Sequence, residues 1–156
     1  MGRRLARELA FRTLFQSDRG GQSLLDVWSS VRQELAEEQS DGADGGAYGE
    51  EADAPTLAFA ERLLKDYDAN QDAVDAQLAE SITGWTFGQM SQTDLNVLRV
   101  AVTEMLHGEE APEVAIEMAV RLAKKFGGDE SGRFVNGVLA KVLRARGRTG
   151  TAADGG

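Results

Sequence analysis

Basic and aromatic side chains near both ends of the chain are the residues whose chemistry most clearly suggests a function. Between Arg121 and Arg148 there are eight Lys or Arg against two Asp or Glu, and residues 1–12 hold four Arg against one Glu. The whole chain nevertheless carries a net charge of −9. Guanidinium and ammonium groups bind phosphate, and aromatic rings stack on nucleic-acid bases. Local basic segments in an acidic protein therefore predict a polyanionic partner.

The same charges can also be explained without a nucleic-acid partner. Lys and Arg often solvate helix faces and favour helix C-termini, where they complement the helix dipole. A basic edge on a helical interaction module could also bind an acidic protein. Basic patches are weakly specific, so charge alone leaves these alternatives open.

The N-terminal basic segment has helical periodicity from about Arg3 to Ser17. Its apolar arc consists of Leu5, Ala6, Leu9, Ala10, Thr13 and Leu14, and the opposite arc mixes Arg3, Arg4, Arg7, Glu8 and Arg12 with Phe11 and Phe15. Rings beside cations suit a single-stranded nucleic acid. Burial of both rings under a neighbouring helix is the alternative.

The amino-acid composition argues against several other classes of function. The chain contains no cysteine and a single histidine, His107, so we expect no disulfide, no thiol nucleophile, no histidine or cysteine metal site and no cofactor. No apolar run is long enough for a membrane helix, and the N-terminus lacks the hydrophobic region of a signal peptide. We expect a soluble, cytoplasmic protein without catalytic residues.

Helical periodicity predicts an all-α fold of about seven helices. The predicted helices cover about 3–17, 24–38, 56–67 and 70–82, then one from the Ser91 cap to Gly108, one from Pro112 to the Gly127-Gly128 break, and one from an Asp129 cap to about Arg146. The segment 39–54 is predicted to be a flexible, acidic, Gly-rich loop, and 149–156 a disordered tail. The rings of Trp85 and Phe87, in a predicted turn, are expected in the core.

Three blocks of sequence carry a resemblance: RxLARELAFxTLF at the start, DLNVLRVAVTEML in the middle and VAIEMAVRLAKKFGGDESGRFVNGVLAKVL at the end. They resemble the NusB-type transcription antitermination factors of bacteria. The third block is the most specific, because LAKxFG, a short acidic loop and a basic residue before FVNGVLxK follow in order. The resemblance implies one domain over 1–148, built as two three-helix bundles side by side, with subdomains of about 1–66 and 67–148.

The resemblance also implies a function and a set of site residues. The family binds the boxA element of nascent ribosomal-RNA leader transcripts together with NusE, a small-subunit ribosomal protein. The pair then joins other Nus factors on RNA polymerase and suppresses termination. The resemblance and the basic pattern together give the candidate RNA-binding residues Arg3, Arg4, Arg7, Phe15, Lys124, Asp129, Glu130, Arg133, Phe134 and Lys141. Asp94 and Glu130 are the candidate NusE-binding residues.

The site depends on an expectation about packing. If the first and last helices adjoin, a groove forms that carries the cations of both, with Phe15 and Phe134 as exposed rings. Apolar residues at bundle edges could also support a homodimer.

The sequence departs from the family pattern at several positions. A family Tyr is Phe15 here, the usual Ser-His-Lys is Ser131-Gly132-Arg133, and the frequent Asn-Glu pair is Glu117-Met118. None of these departures removes the basic surface. The same fold also forms the front end of ribosomal-RNA cytosine methyltransferases, but the chain has no Gly-rich cofactor loop and no cysteine nucleophile, so an enzyme is not expected.

Overall fold

The computed structural model describes the backbone of residues 2–40 and 52–155, and the side chains of residues 2–38 and 52–146. Within these ranges it contains α-helices, one short 3-10 helix at Phe87–Gln89 and no strand. The α-helices are α1 (Arg3–Gly20), α2 (Leu24–Ser40), α3 (Ala54–Ala69), α4 (Gln71–Ser81), α5 (Gln92–His107), α6 (Pro112–Gly127) and α7 (Asp129–Gly155). The prediction of an all-α fold is confirmed.

The chain divides into two compact units, Met1–Ala69 and Asn70–Gly156. The first unit contains α1, α2 and α3, and the second contains α4 to α7. The side-by-side pair of three-helix bundles that the resemblance implies stays a prediction.

The core of the first unit is built on α1, which packs against α2 and α3. Every residue of its predicted apolar arc is buried, so the helical period located that face correctly. Trp28 of α2 is buried as well, and its indole Nε1–H donates a hydrogen bond of 2.9 Å to Oε1 of Glu61 on α3. Arg32 binds the same carboxylate oxygen at 3.0 Å, so one glutamate links α2 to α3.

The core of the second unit surrounds α5. Helical periodicity predicts a single apolar seam along this helix, formed by Leu95, Leu98, Val102, Met105 and Leu106. In the structure every residue from Leu95 to Met105 except Arg99 is buried. The physical reason is that α4, α6 and α7 all pack against α5, so nearly its whole circumference is covered. The fully buried side chains of α7 in this core are Val135, Leu139 and Val142.

The signals predicted for the ends of α5 and α6 are confirmed, whereas those predicted for α7 are not. Ser91 caps α5 by accepting a hydrogen bond of 3.0 Å from the backbone N of Asp94, and Pro112 occupies the first turn of α6. Gly128 ends α6 with φ 89°. The prediction that Asp129 caps α7 is wrong, because Asp129 is already helical and stabilises the first turn through the helix dipole instead.

Two predicted boundaries also need correction. Of the predicted loop 39–54, residues 41–51 lie outside the described residues, while Gln39, Ser40 and Ala54 are helical. α7 continues to Gly155, past its predicted end near Arg146, while the disordered tail over 149–156 stays a prediction. No proline interrupts this stretch, and extending an existing helix is far easier than starting one.

Candidate nucleic-acid interface

The candidate cations of the first unit lie on the first turns of α1. Arg3 and Arg4 are exposed to solvent. The Arg3 guanidinium carbon lies 4.9 Å from the centroid of the Phe59 ring on α3, and that of Arg7 lies 5.4 Å from the same centroid. Cation–π contact therefore holds two of the three arginines against one ring.

Arg7 differs from the other two because only 6% of its surface is exposed. The sequence places Arg7 on the outer arc of α1, but α3 packs on this helix and Phe59 covers that side. An arginine can bury its aliphatic stem in such a contact, so removing it costs packing as well as charge. Helical periodicity, which places Arg7 opposite the apolar arc of α1, does not predict this burial.

The two rings on α1 do not share one environment. Phe11 is 3% exposed, whereas Phe15 is half-buried with its centroid 6.0 Å from that of Phe11. The guanidinium carbon of Arg19 lies 5.7 Å from the Phe15 centroid. Burial therefore explains Phe11, while Phe15 keeps an accessible part beside a cation.

The first candidate residues of the second unit lie at the junction between α6 and α7. Lys124 and Lys125 are exposed in the last turn of α6, and Asp129 and Glu130 are exposed in the first turn of α7. Each pair matches the charge of its helix terminus, cations at the C-terminus and acids at the N-terminus. The junction thus presents basic and acidic groups side by side without a helix-dipole penalty.

Gly132 lies beneath the side chain of Lys124 and is buried. A Cβ atom at this position would come within 2.6 Å of Lys124 Cγ and 3.0 Å of Cε. The absence of a side chain at Gly132 therefore lets the lysine stem lie across α7.

Phe134 is half-buried on α7 and contacts Trp85, with ring centroids 5.8 Å apart and an interplanar angle of 62°. The expectation that Trp85 is a core residue is wrong, since 50% of its surface is exposed. Phe87, from the same segment, is half-buried and lies 5.6 Å from the Arg99 guanidinium carbon. The neighbouring Arg133 is exposed.

Trp85 is the surface residue that sequence reasoning missed. It lies outside the helices, so helical periodicity, which places Phe134, carries no information about it. The general rule that large apolar residues are buried predicts that Trp85 lies in the core, which is incorrect.

Lys141 is exposed two turns along α7 from Phe134, and its Nζ donates a hydrogen bond of 3.2 Å to Oγ1 of Thr83. Thr83 precedes Trp85 by two residues, so the segment from Thr83 to Trp85 contacts α7 at two points. The structure thus associates two predicted site residues, Phe134 and Lys141, with one short segment.

Asp94 is half-buried near the start of α5. Its Oδ1 atom is buried and, within the part of the chain that the structure describes, has no hydrogen-bond partner. A Cβ atom placed on Gly127 would contact Ser131 and come within 3.7 Å of this oxygen. Asp94 therefore lies beside the α6–α7 junction that carries Glu130.

The groove expected from adjoining first and last helices would join residues of both units and stays a prediction. Over the described residues, no cluster of three or more His, Cys, Asp or Glu could hold a metal ion. None of the helices in that part of the chain is both long and apolar enough to cross a membrane.

Fold and side chains together define an all-α protein with exposed cations and partly exposed rings in each of its two units. The model of the NusB family matches residues 4–144. The chain is 46% identical over 142 residues to the transcription antitermination protein NusB of Thermus thermophilus, covering 91% of the chain and 90% of that relative. It is 44% identical over 150 residues to the NusB protein of Deinococcus deserti, covering 96% and 85%. The chain therefore belongs to the NusB family.

Solved structures agree with this assignment. The chain matches T. maritima NusB with a TM-score of 0.73 and 27% identity, over 91% of the chain and 90% of that structure. It also matches a chain from a crystal structure of antitermination factors NusB and NusE in complex with dsRNA, with a TM-score of 0.74 over 92% of the chain and 97% of the other. Identity in the second case is 21%, so that likeness shows the fold alone.

Proposed function

We propose that this protein is a transcription antitermination factor that binds the boxA element of nascent ribosomal-RNA leader transcripts together with NusE. The observation that carries the proposal is the 46% identity, over 91% of the chain, to a protein named for antitermination. Bound to RNA, the pair joins other Nus factors on RNA polymerase and helps it pass terminators. The site of action is the cytoplasm, where bacterial transcription takes place.

The proposed RNA-binding side chains divide into two chemical groups. Arg3, Arg4, Lys124, Arg133 and Lys141 bind phosphate and contribute affinity that falls as salt rises. Phe15 and Phe134 stack on unpaired bases, which single-stranded RNA can present. Exposure supports the cation assignments, since all five of these residues are exposed.

Three further candidates have less direct roles. Arg7, at 6% exposure, positions the start of α1 against Phe59 more than it reaches RNA. Asp129 and Glu130 accept hydrogen bonds from base edges at the α6–α7 junction, because carboxylates repel phosphate but pair with amino groups.

NusE binds at the second unit through Asp94 and Glu130. The support for Asp94 is its half-buried position near the start of α5, which leaves part of its carboxylate accessible to a partner. The proximity of Asp94 to the junction that carries Glu130 supports one continuous contact for this partner.

The protein acts as an adaptor and not as an enzyme. The support for this part of the proposal is the family, whose curated relatives are named for antitermination. Its effect on transcription arises from bringing RNA, NusE and the polymerase complex together.

Gel-shift titrations test the proposal. The full chain is titrated against boxA RNA and a scrambled RNA of equal length, each with and without NusE. We expect weak binding by the chain alone, and tighter binding with clear preference for boxA when NusE is added. Equal affinity for both RNAs in the presence of NusE would contradict the proposal. The solution mass with and without NusE shows whether a homodimer competes with the complex.

A residue-level titration addresses Phe134. Phe134→Ala removes the ring from the half-buried position on α7, so boxA affinity should fall while the helix content stays the same. Unchanged affinity would remove Phe134 from the RNA site.

A further inference from the structure

Trp85 exposes an unusually large apolar surface. Half of its surface is accessible, whereas the other tryptophan, Trp28, is 2% exposed. Among the described residues, only Trp85 and Val114 are large hydrophobic residues that are exposed. Single exposed apolar residues are common on protein surfaces, so the exposure of Trp85 becomes informative only through the groups around its ring.

The segment around Trp85 is anchored on both sides. Ile82 and Met90 are buried, and Thr86 closes a capping box with Gln89, whose Oε1 accepts a hydrogen bond of 3.0 Å from the Thr86 backbone N. Immediately before Trp85, Gly84 adopts φ 81°, which other residues rarely adopt. Trp85 is therefore held in place on the surface.

The surroundings of Trp85 combine a second ring with cations. The Trp85 and Phe134 rings meet in a T-shaped contact with centroids 5.8 Å apart. Lys141 is bound to Thr83, two residues before Trp85, and Arg133 precedes Phe134 in the chain. A rigid ring beside positive charge is the arrangement that single-stranded nucleic-acid sites use for base stacking.

We propose that Trp85 is a base-stacking residue for single-stranded RNA, working beside Phe134. This inference rests on the proposed function and extends its RNA site to a segment outside α7. Tryptophan is also common at protein interfaces, so a protein partner is the competing occupant. The positive charge on Arg133 and Lys141 favours a polyanion, and RNA supplies both phosphates for these cations and unpaired bases for the ring.

Substitutions at Trp85 test this inference in the full chain. Trp85→Leu keeps apolar bulk but removes the stacking face, and Trp85→Phe keeps a smaller face. Val114→Ala is the matched control, since Val114 is the other exposed large hydrophobic residue among those described. Using boxA RNA with NusE present, we expect Trp85→Leu to weaken binding about 5- to 150-fold, Trp85→Phe to weaken it less, and the control to match wild type.

Acrylamide quenching of tryptophan fluorescence gives an independent measurement on the unaltered protein. Trp28 is buried, so the quenchable emission comes chiefly from Trp85. Saturating boxA RNA should protect this emission if a base covers the ring. This readout decides the matter if circular dichroism shows that Trp85→Leu has disturbed the fold.

The outcomes are distinct. If wild type does not prefer boxA over scrambled RNA, the proposed function is overturned, and so is the inference about Trp85 that depends on it. If wild type prefers boxA, but Trp85→Leu binds equally well and RNA gives no protection, only the inference about Trp85 is overturned. It is also overturned if Trp85→Leu loses affinity for NusE without RNA while RNA binding by the chain alone is unchanged, because Trp85 is then a protein contact.

Discussion

Lys124 of α6 lies across Gly132 of α7, so closely that a Cβ on the glycine would come 2.6 Å from the lysine Cγ. The contact gives the lysine stem a defined path over the neighbouring helix. The position of one proposed phosphate-binding cation therefore depends on the absence of a side chain on the next helix.

Gly132→Ala should displace Lys124 and weaken boxA binding. The added methyl group clashes with the lysine stem, which is flexible and can rotate away, so we expect a modest loss of affinity of about 2- to 5-fold, equivalent to about 0.4–1 kcal/mol. A double-mutant cycle checks the mechanism. Gly132→Ala should have no further effect on RNA affinity in a Lys124→Ala background.

Gly137→Ala is the matched control on the same helix. A Cβ there meets nothing within 4 Å, so the substitution should raise the free energy of unfolding by about 0.5–1 kcal/mol through helix propensity and leave RNA affinity unchanged. Equal losses of RNA affinity in both glycine variants would show that the Lys124 contact is not the cause.

Glu61 should contribute to the loss of stability in acid. The hydrogen bond from the Trp28 indole, and then the positive charge of Lys65, hold the pKa of the Glu61 carboxyl below its ordinary value of 4.5, against the opposing effect of burial. A lowered folded-state pKa stabilises the protein above the unfolded-state pKa, and this contribution disappears as pH falls through the folded-state pKa. The relevant window therefore lies below about pH 4.5.

Glu61→Gln should flatten this part of the pH dependence, because the amide keeps the hydrogen-bond acceptor but does not titrate. Urea midpoints followed by circular dichroism from about pH 7 to about pH 3 provide the measurement. Trp28→Phe removes the donor while keeping an aromatic ring, so it should flatten the same window. Identical slopes for wild type and both variants below about pH 4.5 would rule out this role.

The features that the sequence predicts well depend on local periodicity. The buried arc of α1 and the interior side chains of α7, such as Leu139, follow from the helical repeat of about 3.6 residues per turn. The Ser91 cap and Pro112 follow from the hydrogen-bonding needs of a helix start. Each of these can be read from a few neighbouring residues.

The features that the sequence predicts poorly depend on packing between distant segments. Arg7 is buried because Phe59 of α3 covers it, and the partner of Trp85 is Phe134 of α7. Neither pairing leaves a local signal. The continuation of α7 past Arg146 escapes prediction for a different reason, because glycine lowers helix propensity without ending an established helix.

Arg99 should be essential to the packing of α4 and the Phe87 segment against α5. Its Nε and Nη2 bind Asp75 Oδ1 and Oδ2 at 3.1 and 3.2 Å, and its guanidinium carbon lies 5.6 Å from the Phe87 ring centroid. Lysine cannot reproduce two parallel hydrogen bonds and a stacked plane. We expect Arg99→Lys to lower the free energy of unfolding by about 1–3 kcal/mol in urea titrations.

Arg121→Lys is the control for Arg99→Lys. Arg121 pairs with Glu117 at 2.9 Å, but the two side chains are 62% and 63% exposed, so the substitution should change stability by less than about 0.5 kcal/mol. Similar losses of stability in the two variants would mean that the paired hydrogen bonds to Asp75 contribute no more than an exposed ion pair.

Arg4 and Arg7 should separate RNA binding from stability, although the resemblance assigns them the same role. Arg4 is exposed, so Arg4→Ala should leave the urea midpoint unchanged and reduce the slope of log K against log salt for boxA RNA by about 0.7. Arg7 is 6% exposed beside Phe59, so Arg7→Ala should lower the free energy of unfolding by about 1–3 kcal/mol. If Arg7→Ala instead leaves stability intact and reduces the salt slope as Arg4→Ala does, Arg7 is a phosphate contact and its burial is not retained on RNA.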